Sequence, residues 1–277
     1  MQFDENYFNM IRANLKMTGV SDDQIEAMIK MQQASMGGTE ISAQDIAEAA
    51  AAAGRIAEQM GGFGSSDAES ELVLVENPSV NKSYQWAIAC GADLAQMRGD
   101  ILNDLNTDVN PDGSDEVLKE GWGVSGHDEA VEMCDSLLAA RHSSIYAAEV
   151  AAGKGEHIDN INAAKILFNG DGLIGGNTVP NMLIWDLGRL VTVSRLAFDA
   201  GWLSRDEVLK YLCALAPMVQ KAYKSWRDMS VAYQFGRVVW GGPDEEEYLM
   251  MKSNMQELLE AADSPWNKLP FDMKLEF

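Results

Sequence analysis

The sequence is short of positive charge, of cysteine and histidine, and of uninterrupted apolar stretches. Lys and Arg number 21 against 43 Asp and Glu, a formal net charge of −22. A surface of that sign repels nucleic acid and anionic membrane and does not steer acidic substrates inward. It leaves basic partners, neutral small molecules or the chain itself. Only three cysteines occur, Cys90, Cys134 and Cys213, widely spaced and without a C-x-x-C pair. That pattern argues against a disulfide framework and points to a reducing compartment. Each cysteine falls in an apolar helical stretch, which marks it as a core residue. The three histidines, His127, His142 and His157, are 15 residues apart in turn and show no H-x-x-x-H spacing, so no metal centre is read from them. No uncharged apolar run approaches the roughly 18 residues that span a bilayer. The acidic N-terminus lacks the basic and apolar regions of a secretory signal. These absences lead us to expect a cytoplasmic protein with no cofactor, no nucleic-acid partner and no membrane partner.

What is present is helical periodicity, in a chain that is 47% hydrophobic. Residues 1–66 read as a Met-rich, acidic helical arm ending in a Gly-rich linker, and residues 67–277 as the main helical domain. In the arm, Ser21 with Gln24 and Ser42 with Asp45 stand at capping-box positions. The arm is expected to pack on the main body or on a second copy of the chain, a route to homo-oligomers. Leu72 to Val75 is the one short β-type run. A long helix is predicted from Lys82, carrying Trp86, Cys90, Leu94, Met97, Ile101 and Leu105 at helical spacing. Another follows Ser125. A Gly-rich break spans Gly170 to Gly176. Three strong helices are predicted at roughly 180–200, 205–223 and 226–240, then an acidic one over 244–262 and an extended tail that docks through Pro265, Trp266, Leu269, Pro270 and Phe271. Ser204 with Glu207 forms a full capping box, stapled by Leu203 and Val208, and Pro217 is expected to kink its helix. The class is mainly α, a multi-helix globular domain with at most one short β element plus the N-terminal helical arm.

Two motifs suggest chemistry and fail on their surroundings. Asp108-x-Asn110-x-Asp112-Gly113 matches the first half of an EF-hand loop, but the position of the bidentate Glu holds Lys119. The loop is read as a solvated turn, with calcium as the alternative. Gly170-x-Gly172-x-x-Gly175 has the letters of a dinucleotide fingerprint without the strand it needs, and is read as an interhelical loop.

The stretch 180–240 differs in charge, with 8 basic and 5 acidic residues inside a strongly acidic chain. Its first helix is apolar over a broad arc, while Trp185, Arg189, Thr192, Arg195 and Asp199 gather opposite. Asp186–Arg189 and Arg195–Asp199 stand at pairing distance along the helix, and Arg237, near Tyr233 and Trp240, is their natural neighbour. Charges on a helix buried nearly all round must find partners inside the fold. One reading is an internal Arg–Asp network that fixes the packing of three helices. The other is an Arg-lined pocket for a carboxylate or phosphate, walled by Trp185, Trp226 and Trp240. The structural reading is preferred.

The same stretch carries a family resemblance. Trp185-Asp186-Leu187-Gly188-Arg189, Ser194-Arg195, Asp199-Ala200-Gly201-Trp202-Leu203-Ser204, Ser225-Trp226 and Tyr233-x-x-Gly236-Arg237-x-x-Trp240 resemble the signature of the domain-of-unknown-function family 1266. Trp86, Gly121-Trp122-Gly123-Val124 and Ser264-Pro265-Trp266 fit it too, so the resemblance covers about residues 80–270. It implies a bacterial, intracellular, largely helical domain, and it supplies no activity, substrate or catalytic residue. Acidity, the Met-rich arm and the lack of a complete catalytic constellation favour a non-enzymatic protein-interaction module for a basic partner. The alternative is a small-molecule or anion-binding protein, or an enzyme, built on the Arg/Asp/Trp cluster.

Overall fold

A computed structural model describes residues 72–176 and 178–277. The chain divides into two units, Met1–Glu69 and Ser70–Phe277, and the account below is of the second. The arm, its capping boxes and the linker lie outside the described residues. The helices are α1 (Lys82–Ala89), α2 (Ala92–Arg98), α3 (Ser114–Trp122), α4 (His127–Leu138), α5 (Arg141–Ala152), α6 (Ile158–Gly170), α7 (Leu183–Asp199), α8 (Arg205–Ala222), α9 (Trp226–Gly241), α10 (Glu245–Glu260) and the single turn α11 (Pro265–Lys268). The described residues contain no strand. The fold is all α.

Helix α7 is the axis. Every residue from Ile184 to Ala197 except Arg189 is buried. The helix packs against α2, α3, α4, α5, α8 and α9. Its neighbours are bounded by the caps that the sequence predicts. The Ser204 hydroxyl accepts the Glu207 N–H while the Glu207 carboxylate accepts the Ser204 N–H at 2.8 Å. Ser225 and Asp244 cap α9 and α10 through the N–H groups of Asp228 and Glu247. Such caps satisfy donors that each helix start leaves without a partner. Helix α8 runs through Pro217 to Ala222.

Three expectations need correction. The long helix from Lys82 breaks at Cys90–Gly91 and stops at Arg98. A Cβ on Gly91 would lie 2.8 Å from the Val191 Cβ, so the chain turns where it passes against α7 and no side chain fits. Gly99, left-handed at φ 72°, then releases the chain into a loop. Ile101 and Leu105 are buried on that loop, where their helical spacing had placed them on a helix face. Cys213 is exposed, while Cys90 and Cys134 are buried. Val208, Leu212, Leu215 and Val219 form the buried face of α8, and Cys213 lies about 100° around from Leu212. Finally, the tail is not extended throughout, because Ser264 caps the turn α11.

The tail does dock. The Trp266 ring stacks on Trp226 at 5.8 Å, and the indole N–H groups of Trp226 and Trp266 each donate to a carbonyl, Leu269 and Ala89, at 2.9 Å. The run Leu72 to Val75 is extended but isolated. It exchanges bonds with the Asn103 side chain at Val75 and accepts Leu102 N–H at Val73, too little for a ladder.

Candidate functional site

The C-terminal half of α7 holds Arg195 and Asp199. Arg195 is 1% exposed, and its guanidinium donates to the carbonyls of Ile101, Leu105 (3.1 Å) and Asn106 (2.7 Å). Asp199 accepts from Asn106 Nδ2 (2.8 Å), Thr107 N (2.8 Å) and Thr107 Oγ1 (2.6 Å). The expected Arg195–Asp199 hydrogen-bonded pair is absent. One helical turn instead reads the two polarities of the 99–107 loop, the cation taking its carbonyls and the anion its N–H and side-chain donors. Burial pushes the Arg195 guanidinium down to about 10, opposed by the nearby charges of Asp100, Asp199 and Asp104. At this end Nε and Nη2 of the buried guanidinium are taken up by the loop.

The N-terminal half differs. Asp186, fully buried, does not bond Arg189. Its carboxylate accepts from His142 Nδ1 at 2.6 Å and from Ser143 N at 2.9 Å, closing the start of α5. Arg189 lies over the rings of Trp122 (5.3 Å) and Trp185 (4.9 Å), a cation held by two indole faces. Its Nη1 is buried without a hydrogen-bond partner, and so is Nε1 of Trp185. Burial lowers the affinity of Arg189 for its proton, offset first by the charge of Asp186. Arg237 adds positive charge to the neighbourhood, although its Nε is spent on Glu247 at 2.6 Å. Trp185 packs on Tyr233 (5.3 Å) and Trp240 (6.4 Å). The close approach of α9 needs Gly236, where a Cβ would lie 3.0 Å from that of Trp185.

Two histidines that sequence spacing left unassigned meet at Trp240. The ring of His157 stacks on it at 4.6 Å and that of His142 meets it edge-on at 5.3 Å. Their separation of 15 positions carried no local signal, because α5 and α6 bring them together only in three dimensions. Trp122 was legible as part of a motif but not as a wall for Arg189. Entry to α5 is through Ala140 at φ 51°, among the described residues the one non-glycine with positive φ. An alanine adopts that conformation at a cost of about 1–2 kcal/mol, and here it delivers His142 and Ser143 to Asp186.

Other candidates lie elsewhere. Trp226 belongs to the tail cluster with Trp86, Phe271 and Trp266, not to the Trp185 group. Asp108 accepts the Asn110 N–H in a turn, and Asp112 is exposed. Among the described residues no group of three or more His, Cys, Asp or Glu could hold a metal ion. Gly172 and Gly175 lie in the loop after α6. Between α2 and α9, Asp93 accepts from Ser230 Oγ and weakly from Gln234, while its Oδ2 and the Gln234 Oε1 lack partners. Burial pushes this carboxyl up to about 6 against those two bonds.

A family model described as a protein of unknown function, DUF1266, matches residues 117–271, more than half of the chain. The chain belongs to the DUF1266 family. The DUF1266 match includes Trp122, His142, His157 and all of α7 and α9, whereas the loop clamped by Arg195 precedes it. The uncharacterised protein YbeR of Escherichia coli strain K12 is 28% identical over 68 residues, 24% of this chain and 29% of the relative. The similarity therefore spans less than a third of that relative. No solved structure matches the chain. Among the described residues, no helix is long and apolar enough to cross a membrane.

Proposed function

We propose that this domain binds a small anionic ligand, a carboxylate or phosphate, at the Arg189 cluster. The observation that carries the reading is the state of Arg189: a guanidinium between Trp122 and Trp185 with a buried, unpartnered Nη1, beside a second unpartnered donor on Trp185. Buried donors without acceptors are costly, and an arriving oxyanion supplies acceptors of the right sign. The overall acidity does not forbid this. At physiological salt, charges beyond about 8 Å are largely screened, and the immediate surroundings of Arg189 are aromatic, with Arg237 adding positive charge. The test is a thermal-shift series with inorganic phosphate and simple carboxylates. A ligand that binds only the folded state stabilises it as RT ln(1 + [L]/Kd), about 2.7 kcal/mol at a hundredfold excess over Kd. That stabilisation is expected in the wild type and lost in Arg189→Met. No shift with any of these anions overturns the reading.

A separate observation favours a second reading, the interaction module for a basic partner. A cleft of about 370 Å³ is lined by Asp128, Val131, Glu132, Asp135, Ser136 and Arg141. Three carboxylates against one guanidinium suit a Lys- or Arg-bearing segment. Salt-sensitive binding of a lysine-rich peptide, lost in Glu132→Lys, tests it. The three cysteines are all unpaired thiols, which supports the cytoplasm as the protein's setting.

A further inference from the structure

We infer that His142 is a general base, held in place by Asp186, for chemistry on a ligand whose anionic group rests on Arg189. The inference builds on the anion-binding reading above. With Asp186 as a carboxylate, which only accepts, the 2.6 Å contact takes a proton on His142 Nδ1, and the neutral form of such a ring carries its lone pair on Nε2. The second Asp186 oxygen takes the Ser143 N–H at 2.9 Å, so the carboxylate is held at both ends and fixes the ring. Trp240 packs against the imidazole edge and is itself backed by the stacked ring of His157. Nε2 is neither hydrogen-bonded nor among the buried unpartnered atoms, and the side chain is 31% exposed, so a reactant can reach it.

The other histidines differ in what they leave open. His127 has both ring nitrogens engaged, by Asp128 and Glu207, each at 2.9 Å. His157 also sets Nδ1 on a carboxylate, Glu149 at 3.1 Å, but its ring is stacked on Trp240 and is 19% exposed against 31% for His142. Arg189 lies one helical turn from Asp186, and the Trp185 ring it covers packs on Trp240, the ring that His142 meets edge-on.

In the step this permits, Nε2 takes a proton from a water or a substrate hydroxyl. The O–H electron pair stays on oxygen, which becomes the nucleophile. That oxygen bonds to an ester carbonyl carbon, the carbon–oxygen bond to the alcohol breaks with its electron pair on the departing oxygen, and the imidazolium, stabilised by Asp186, returns its proton to that oxygen. The substrate class is a small molecule carrying a carboxylate or phosphate near an ester. His142 is the catalytic residue and Asp186 the positioning residue.

The experiment is alkylation of the full chain, thiols blocked beforehand, by neutral iodoacetamide and by anionic iodoacetate, with labelled histidines quantified by peptide mass spectrometry. With iodoacetamide, His142 is expected to react about tenfold or more faster than His127 or His157. This comparison uses the wild type alone and so survives any folding defect in a variant. Asp186→Asn, checked by its melting curve, is expected to lower the His142 rate by about tenfold or more, since a carboxamide can reverse the ring tautomer. Iodoacetate is expected to outpace iodoacetamide at His142 by about tenfold. Inorganic phosphate should slow it, and Arg189→Met should remove both effects. His142 labelling no faster than the other histidines overturns the base. Fast labelling with no preference for iodoacetate and no phosphate protection keeps the base and overturns the anion-binding reading beneath it.

Discussion

Arg195 and Arg189 lie on the same buried helix, less than two turns apart, and meet opposite conditions. Arg195 is buried, with Nε and Nη2 on three carbonyls of one loop and three aspartates in its field. Arg189 is enclosed by indoles, its one helical carboxylate is spent on His142 and Ser143, and a buried donor is left over. Burial cost is met at one end of α7 and left open at the other. A cation whose donors grip a loop's carbonyls holds that loop in place, whereas one with a buried donor left over has capacity for a ligand.

The largest test of this contrast is Arg195→Met. It removes the donors to the Ile101, Leu105 and Asn106 carbonyls and takes the nearby positive charge from Asp100, Asp199 and Asp104. Breaking such a network costs about 3–5 kcal/mol, read as a lower urea midpoint that no anion rescues. A loss below about 1 kcal/mol would erase the distinction, since that is the range of an exposed charge.

Asp93 offers the mirror case, an unsaturated buried acid. Its folded pKa is raised from 3.8 to about 6. The folded state therefore holds this proton more tightly. The contribution is fully present below about pH 4 and is lost as pH rises through about 6, a difference of about 3 kcal/mol. Asp93→Asn places an N–H₂ where the acid proton would sit and removes the buried charge. It is expected to raise the melting temperature at pH 8 and to flatten the profile between pH 4 and 7. A wild-type profile that is flat over this interval defeats the account.

Arg189→Met sharpens the comparison from the other side. Methionine keeps apolar contact with the two indoles and removes an unpaired donor, so stability without ligand is expected to change by less than about 1 kcal/mol, in either direction. A loss as large as that of Arg195→Met makes Arg189 structural as well.

The smallest effect is expected at His127, which bridges Asp128 and the Glu207 cap. Bonds to those carboxylates raise its pKa. Its contribution is present at low pH and lost as pH rises through that raised value. The pair is exposed, so His127→Gln should lower the melting temperature slightly below about pH 6 and leave it unchanged near pH 9.

Much of the architecture follows from local signals. The cap at Ser204, the boundaries of α7 to α10 and the docking of the tail aromatics rest on contacts a few residues apart or on apolar periodicity, and each was legible before folding. The 185–240 stretch was also legible as the place where charge is buried. Its partners were not. Helical spacing suggested Asp186 with Arg189 and Arg195 with Asp199, because i,i+3 and i,i+4 neighbours can touch. In the folded chain each of these four residues found something better, or nothing at all.

The sequence by itself determined that α7 would be buried on nearly every side and would carry charges inside, since apolar residues surround Asp186, Arg189 and Arg195 in the chain. Only the tertiary structure decided which charges are satisfied. The 99–107 loop reaches Arg195 because Gly91 and Gly99 interrupt a helical pattern that periodicity alone would have continued. His142 reaches Asp186 because Ala140 turns left-handed before α5. Periodicity records which face of a helix avoids water, a one-dimensional property. A hydrogen bond across 44 or 90 positions depends on where a loop ends in space.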